Sequence, residues 1–277
     1  MEIKTRKLKQ HLFSWYRNNK RAFSWRNTND PWKIFLIEII SQQTQINRAD
    51  DYYKKFIKKF PSPESMAKSS LKKVLELWSG LGYNNRAKRL YESSKILSKS
   101  SFDNINPNFE ILPGVGPYTK NAILSFAYGD SVLAIDTNLE RIITRYFGVD
   151  DAKDYLKRYS QSLLKKVNSK DLNQAFMDFG SMVCTSLSPS CDKCPLENEC
   201  SKYFLKTKKS YQKFEGSNRE IRGKVLKFLL NEDQISKEEL INKLGEEEEK
   251  LNKALHGLQK DNLLNIKKNN IIEINSK

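Results

Sequence analysis

A mainly α fold closed by a small α+β domain is what the sequence predicts, and three observations predict it. Apolar residues recur at helical spacing through most of the first 200 positions, as in Val74, Leu75, Leu77, Trp78 and Leu81, and again in Ile123, Leu124 and Phe126; this is the period of helices with one buried face. Turn-forming residues interrupt that pattern at Asn27–Pro31, Phe60–Pro63, Gly80–Gly82, Asn104–Asn108, Pro113–Pro117 and Ser186–Ser190, so the helices are many and short. Beyond residue 215 the pattern changes: three helical stretches are followed by two short apolar runs.

Taken in order, the first 204 residues read as one helical domain that includes a cysteine loop at 184–200. Residues 205–216 read as a basic linker, part of the aromatic-containing stretch Lys202–Lys213 (KYFLKTKKSYQK), suited to lie on phosphates. The last stretch, 217–277, should hold helices from about Arg219 to Leu230, at Lys237–Leu244 and from about Glu246 to Asp261, then a hairpin of Leu263–Lys267 and Ile271–Ile274 around Lys268–Asn270. That outline is winged-helix-like, and in such modules the third helix often enters the major groove. Glu246–Glu249 reads as a solvated helix start, where carboxylates favour the positive end of the helix dipole.

Lys plus Arg outnumber Asp plus Glu by 49 to 33, a net charge of +16. A surplus of that size points to a polyanionic partner, nucleic acid first. From Glu215 to Lys277 there are 12 basic and 12 acidic residues, so the whole surplus belongs to the helical domain. A neutral final module is as well suited to docking or dimerisation as to DNA. No apolar run approaches the roughly 18 to 20 residues of a membrane span, and the charged residues following Met1 are unlike a secretory leader. The expected location is intracellular, in the cytoplasm with the nucleoid. The two histidines, His11 and His256, lie away from every other motif and read as surface residues.

The four cysteines, Cys184, Cys191, Cys194 and Cys200, are spaced C-x6-C-x2-C-x5-C with none left over. In an intracellular chain this favours thiolate ligation over disulfides. A tetrahedral zinc or a cubane iron–sulfur cluster would both accept four sulfurs. Zinc sites usually pair their ligands at two short spacings, whereas only Cys191 and Cys194 are closely spaced, an asymmetry that favours the cluster.

Two further segments carry chemistry. In Leu112–Thr119 (LPGVGPYT), Gly114 and Gly116 flank Val115 between two helices; such a turn can aim backbone N–H groups outward and grip a phosphate, or it is an ordinary interhelix turn. Glu38 sits inside Ile34-Phe35-Leu36-Ile37 and Ile39-Ile40, where desolvation raises a carboxyl pKa and keeps it protonated, unless it merely interrupts a solvent-facing helix. Asp136 follows Val132-Leu133-Ala134-Ile135 at what reads as a helix start. Two carboxyl groups of different pKa suit acid–base chemistry, one holding a proton to give and the other a negative charge.

The motifs Trp25-Arg26, Asp30-Pro31, Glu38 with Gln42-Gln43-Thr44-Gln45, Gly80-Leu81-Gly82-Tyr83 with Arg86-Ala87, the LPGVG hairpin, Asp136 with Asn138, and Met177-Asp178-Phe179-Gly180 ahead of the cysteines occur in this order. Over roughly residues 10–204 the chain thereby resembles the helix-hairpin-helix (HhH-GPD) DNA glycosylases that carry an iron–sulfur cluster. Glu38 with the QQTQ stretch most resembles the A/G-specific adenine glycosylase (MutY) branch, in its short form.

That resemblance implies a helix-hairpin-helix glycosylase fold, a [4Fe–4S] cluster on the four cysteines, and double-stranded DNA with mismatched or oxidised pairs as the partner of a monomeric enzyme. It makes Glu38 the acid that protonates adenine, with Asp136 stabilising the sugar cation or capturing water. Arg26 and Asn138 become polar contacts around the pocket, Gln43 and Tyr83 the wedge that fills the gap left by an extruded nucleotide, and Leu81 and Thr44 neighbours of the opposite base. Gly114, Val115 and Gly116 would hold a phosphate, and Lys193, Lys202 and Lys206 could reach others. Bifunctional relatives carry a lysine two positions after the second hairpin glycine. Tyr118 stands there instead, and Lys120 is turned away by roughly 200° along a helix, so a monofunctional enzyme is expected.

The final domain is smaller than the β-rich domain common in adenine glycosylases, Pro117 replaces the usual basic hairpin residue, and Ser41 an apolar one. A thymine or uracil glycosylase acting opposite guanine, and a non-catalytic DNA-binding protein that keeps the scaffold and cluster, are the alternative readings.

Overall fold

A computed structural model describes residues 2–205, 213–232 and 234–275. Most of the expected linker, with Lys206, lies outside the described residues. The chain runs through α1 (Glu2–Asn19), α2 (Pro31–Ser41), α3 (Ile46–Lys59), α4 (Pro63–Ala67), α5 (Leu71–Trp78), α6 (Asn85–Leu97), α7 (Phe102–Ile105), α8 (Pro117–Ile123), α9 (Thr137–Phe147), α10 (Ala152–Leu164), α11 (Ser169–Met182), α12 (Asn218–Asn231), β1 (Gln234–Ser236), α13 (Lys237–Leu244), α14 (Glu248–Lys260), β2 (Leu264–Ile266) and β3 (Ile271–Ile274). The turn clusters read from the sequence fall at helix boundaries: Gly80–Gly82 lies between α5 and α6, Ser186–Ser190 after α11, the clusters ending at Pro31, Pro63 and Pro117 run into the first residue of the next helix, and Asn104–Asn108 begins within the last turn of α7. Among the described residues no helix is long and apolar enough to cross a membrane. Two units form, Met1–Glu38 with Val115–Lys208, and Ile39–Gly114 with Lys209–Lys277.

In the first unit, α1 packs against α10 and α11, and α9 against both. Leu8, Leu12 and Tyr16 meet Leu139, Ile142, Ile143, Tyr146, Leu163, Leu172, Phe176 and Phe179 in one core. The helices begin where short polar side chains take up otherwise unpaired N–H groups. Asp136 accepts from Leu139 N, Asp151 from Lys153 N and Asp154 N, and Asn168 from Asp171 N. Beneath this core Asp178 is fully buried, with Arg26 donating through Nη1 and Nη2 at 2.6 Å each and Arg21 through Nε at 2.7 Å and its backbone N at 3.1 Å. Burial alone would raise that carboxyl's pKa, but the Arg26 and Arg21 bonds and charges outweigh it and hold the group below the usual carboxylate range.

In the second unit, α4 and α5 pack on α6, and α3 on α5. Phe56 and Trp78 meet edge to face at 5.7 Å. Ser62 and Ser65 cap each other's backbone at the start of α4, a capping box. The carboxy-terminal elements follow the order α12, β1, α13, α14, β2, β3, with an antiparallel sheet arranged β1-β3-β2, the outline expected of a winged-helix-like module. Three helices and the hairpin fall close to where periodicity puts them. Strand β1 is an addition: its one buried residue, Ile235, pairs with Ile272, and a single inward side chain between polar neighbours leaves no alternation to read. The module's first helix, α12, also packs on α5.

Removing one partner of a buried ion pair leaves an uncompensated charge, which costs about 3–5 kcal/mol. Asp178→Asn should therefore lower stability by that order, read from the urea midpoint at neutral pH. Because the Asp178 pKa is depressed, the deficit should shrink as pH falls through its folded pKa and the parent loses the same interaction.

Candidate active site and cysteine loop

Helix α2 starts where Asp30 Oδ1 accepts from Trp32 N at 2.9 Å and Lys33 N at 3.3 Å. Its run from Ile34 to Ile40 is buried on every face, and Glu38, only 5% exposed, is carried into apolar surroundings. Burial pushes the Glu38 carboxyl up to about 7, a hydrogen bond from the Tyr118 hydroxyl pulls it down, and the Asp136 charge pushes it up again. Tyr118, in the first turn of α8, is itself raised well above its ordinary value by burial and by the Glu38 and Asp136 charges. These three groups from separate helical segments thus form one electrostatic cluster.

Asp136 is raised by burial, yet several groups favour its charged form. Leu139 N donates to its Oδ1 at 2.8 Å and Asn138 Nδ2 to its Oδ2 at 2.6 Å, and Arg141 adds positive charge. The amide of Asn138 is fixed from its other side, its Oδ1 accepting from Arg141 Nη2 at 2.6 Å. Gly180 makes room for this: a Cβ there would lie 2.5 Å from Asn138 Cβ, so only glycine lets α11 approach the start of α9 so closely. Arg26 is committed to Asp178.

The remaining expected contacts belong to the second unit. Gln43 is exposed and left-handed at φ 53°, while Thr44 Oγ1 accepts from Arg86 Nη1 at 3.1 Å. Tyr83, also left-handed at φ 48°, is 41% exposed, whereas Leu81 is buried. Buried Arg86 ties this corner together, donating to the carbonyls of Ile40 at 2.9 Å, Gly82 at 3.1 Å and Gln42, and lying 4.9 Å from the Trp78 ring. Gly114 takes φ 90° and its carbonyl accepts from Gln42 Nε2 at 3.2 Å. In the first unit Gly116 is the N-cap of α8, with Pro117 at its first position; Val115 opens this part of the first unit.

After α11 the chain loops through Cys184, Cys191, Cys194 and Cys200, all free thiols of intermediate burial. They line one small cavity with Arg145 and Phe204. Arg145 Nη1 donates to Cys184 Sγ at 3.4 Å, Lys202 N to Cys200 Sγ at 3.4 Å, and Leu196 N to Cys194. Among the described residues no group of His, Cys, Asp and Glu is placed to hold a single metal ion. Lys193 is exposed, and Lys202, also exposed, pairs with Glu197 at 2.8 Å.

The sequence reading missed Arg141 and Arg145. Arg141 Nε donates to the Cys184 carbonyl at 2.8 Å and Nη2 to that of Gly180 at 2.7 Å, while Arg145 holds the Thr185 carbonyl at 2.6 Å. Their spacing of four along the helix that Asp136 caps puts both on one face, a signal available before the fold was known.

A family model for the HhH-GPD superfamily of base excision DNA repair proteins matches residues 36–167. The chain is 36% identical over 204 residues to an adenine DNA glycosylase of Buchnera aphidicola, covering 70% of this chain and 58% of that protein. It is 33% identical over 232 residues to an adenine DNA glycosylase of Mycolicibacterium smegmatis, covering 79% and 78% of the two. The first curated relatives are longer, and the chain spans about three fifths of their length, 58–61%. A solved thermostable thymine-DNA glycosylase shares 28% identity and superposes with a TM-score of 0.66 over 72% of this chain and 96% of that one.

With a folded pKa of about 7 against an ordinary 4.5, Glu38 keeps its proton in the native state where the unfolded chain has lost it. Stability therefore falls as pH rises across that window, by about 3 kcal/mol in all. Glu38→Gln should unfold at higher denaturant than the parent at pH 8, with the gap closing towards pH 4.5.

Proposed function

The chain belongs to the HhH-GPD superfamily of base excision DNA repair proteins, in its adenine DNA glycosylase branch, and on that premise we propose that it is a monofunctional glycosylase that hydrolyses the N-glycosidic bond of adenine mispaired with 8-oxoguanine or guanine. The observation that carries this reading is the Glu38 carboxyl at about 7 beside an Asp136 whose anion has its own hydrogen-bond donors. Environments that push two carboxyl groups apart are what acid and anion roles require.

In the proposed reaction, protonated Glu38 gives its proton to the adenine ring as the bond from base to sugar C1′ breaks, with the electron pair leaving on the base. Asp136 stays ionised and opposes the positive charge that develops on the sugar, and water adds to C1′ and gives up a proton that restores the Glu38 carboxyl. Tyr118 donates its hydroxyl hydrogen bond to Glu38 and so orients the acid. A phenol at that position offers no amine to attack C1′, so no Schiff base forms and the strand is left intact. Extruding the nucleotide costs a few kcal/mol of stacking and pairing. Gln43 and Tyr83, both exposed on left-handed backbone, are proposed to fill the gap, with Thr44 and Leu81 near the opposite base and Gly114–Gly116 at a phosphate. The partner is double-stranded DNA, bound by a monomer working inside the cell. The proposed organisation is a glycosylase domain to residue 204, a linker and a winged-helix-like module.

The cysteine loop fits a [4Fe–4S] cluster, because four free thiols face one cavity and backbone and Arg145 N–H groups already point at three of the sulfurs. Cys184, Cys191, Cys194 and Cys200 would hold it, and bound there it supplies structural cross-linking of the loop and delocalised charge, with no part in bond cleavage.

Duplexes carrying A, T or U opposite G or 8-oxoguanine, incubated with the protein and then treated with alkali, should break at adenine; breakage confined to thymine or uracil would move the assignment to a mismatch glycosylase. Glu38→Gln should bind the same duplex and release at least 10²-fold less base, and borohydride should trap little covalent complex. Purified protein should be brown with about four irons per chain, and a folded, active zinc form would overturn the cluster.

A further inference from the structure

Tyr83 is gripped from an unexpected direction. Arg219, at the start of α12, donates through Nη1 to the Tyr83 hydroxyl, and its guanidinium lies 4.9 Å from the Tyr83 ring. The same guanidinium is 4.9 Å from the Phe214 ring, while Arg86 stands 5.7 Å from Tyr83. Tyr83 itself leaves Gly82, at φ 72°, on a left-handed backbone, so the turn fixes where its side chain starts and the two guanidiniums fix where it points. Helix α12 is seated on α5, and Trp78 at the end of α5 donates through Nε1 to the Gly82 carbonyl at 3.0 Å. Helix, turn and wedge are thus one packed assembly within the second unit.

We infer that Arg219 is a positioning residue for Tyr83, and that through it the carboxy-terminal module takes part in sensing the DNA mispair. This rests on the wedge role proposed for Tyr83. A tyrosine swinging among rotamers must be ordered each time it enters the base stack, and that ordering subtracts from affinity. Held by a guanidinium on its face and hydroxyl, it is ordered beforehand, and the gain falls on the distorted duplex that admits it. The module's balanced charge accords with this role, because a docking module that acts through one side chain needs no phosphate-binding surface of its own.

The test has a DNA-free arm and a DNA arm. With 3-fluorotyrosine placed at position 83 of the full-length protein, Arg219→Ala should shift or broaden the ¹⁹F resonance, and an unmoved resonance overturns the proposal. In the second arm, affinity is measured for a duplex holding a tetrahydrofuran abasic analogue opposite 8-oxoguanine and for its undamaged counterpart. Arg219→Ala should weaken the first by about three- to tenfold, the range of an exposed guanidinium–ring contact with its hydrogen bond, and leave the second within twofold. Arg219→Lys should recover part of the loss. In a Tyr83→Ala background, Arg219→Ala should have no further effect. Lys227→Ala, which removes an exposed charge from the same helix, should not reproduce the selective loss; if it does, or if Arg219→Ala acts equally with Tyr83 absent, Arg219 contributes only charge and the proposal fails. Both arms use binding and spectroscopy, so they remain decisive even if no base is released from any duplex and the glycosylase reading itself falls.

Discussion

The chemistry proposed for this protein depends on keeping a carboxyl group, that of Glu38, in a place where water cannot solvate its charge. Burying an ionisable acid is unfavourable, and the sequence imposes it by setting Glu38 within the apolar run Ile34–Ile40, which cannot turn it outward without exposing Ile and Leu side chains. The other residues of the cluster follow from that constraint. Tyr118 supplies the hydrogen bond that a buried acid needs, and Asp136, close enough to raise the Glu38 pKa, remains ionisable because a helix N-terminus and the Asn138 amide serve its oxygens. Burial raises both carboxyl groups, but Asp136 has hydrogen-bond donors that favour its anion, whereas desolvation is the largest influence on Glu38.

A second constraint joins this cluster to the cysteine loop within the first unit. Arg141 reaches the Asn138 amide, the Gly180 carbonyl and the Cys184 carbonyl with one planar guanidinium, a use of several fixed donors that a lysine could not copy. The close crossing of α9 and α11 at Gly180 brings these acceptors within its span. The loop is therefore fastened to the helix whose cap is Asp136, and the order of the loop is linked mechanically to that of the cap.

Much of this could be read from the sequence because local signals carried it. The apolar run around Glu38 foretold its burial, the turn residues marked the helix boundaries, and the changed pattern after residue 215 foretold three helices and a hairpin. What escaped the reading depends on contacts between segments far apart in the chain. Nothing near Arg86 announces that its guanidinium gathers the carbonyls of Ile40, Gln42 and Gly82, and nothing near Arg26 announces its commitment to Asp178. Strand β1 escaped for a different reason, since three residues paired to β3 owe their conformation to their partner and not to their own pattern.

The division of the chain into units gives the carboxy-terminal module a meaning that its composition does not. A module without net charge gains little from the phosphate backbone, where affinity scales with the counterions released. Several of its cations pair with carboxylates of the same module: Lys224 with Glu220 and Glu246, Lys237 with Glu248, Arg222 with Asp261, and Lys243 with Glu239. Arg219 differs, because it spends its guanidinium on the Tyr83 hydroxyl and ring instead of on a carboxylate. An arginine paired to a carboxylate would have its donors saturated, whereas one laid on an aromatic face keeps donors available while it orders the ring. The only aromatic of the Gly80–Tyr83 turn is thereby held by a residue more than a hundred positions away in sequence, which makes the module part of the turn's architecture.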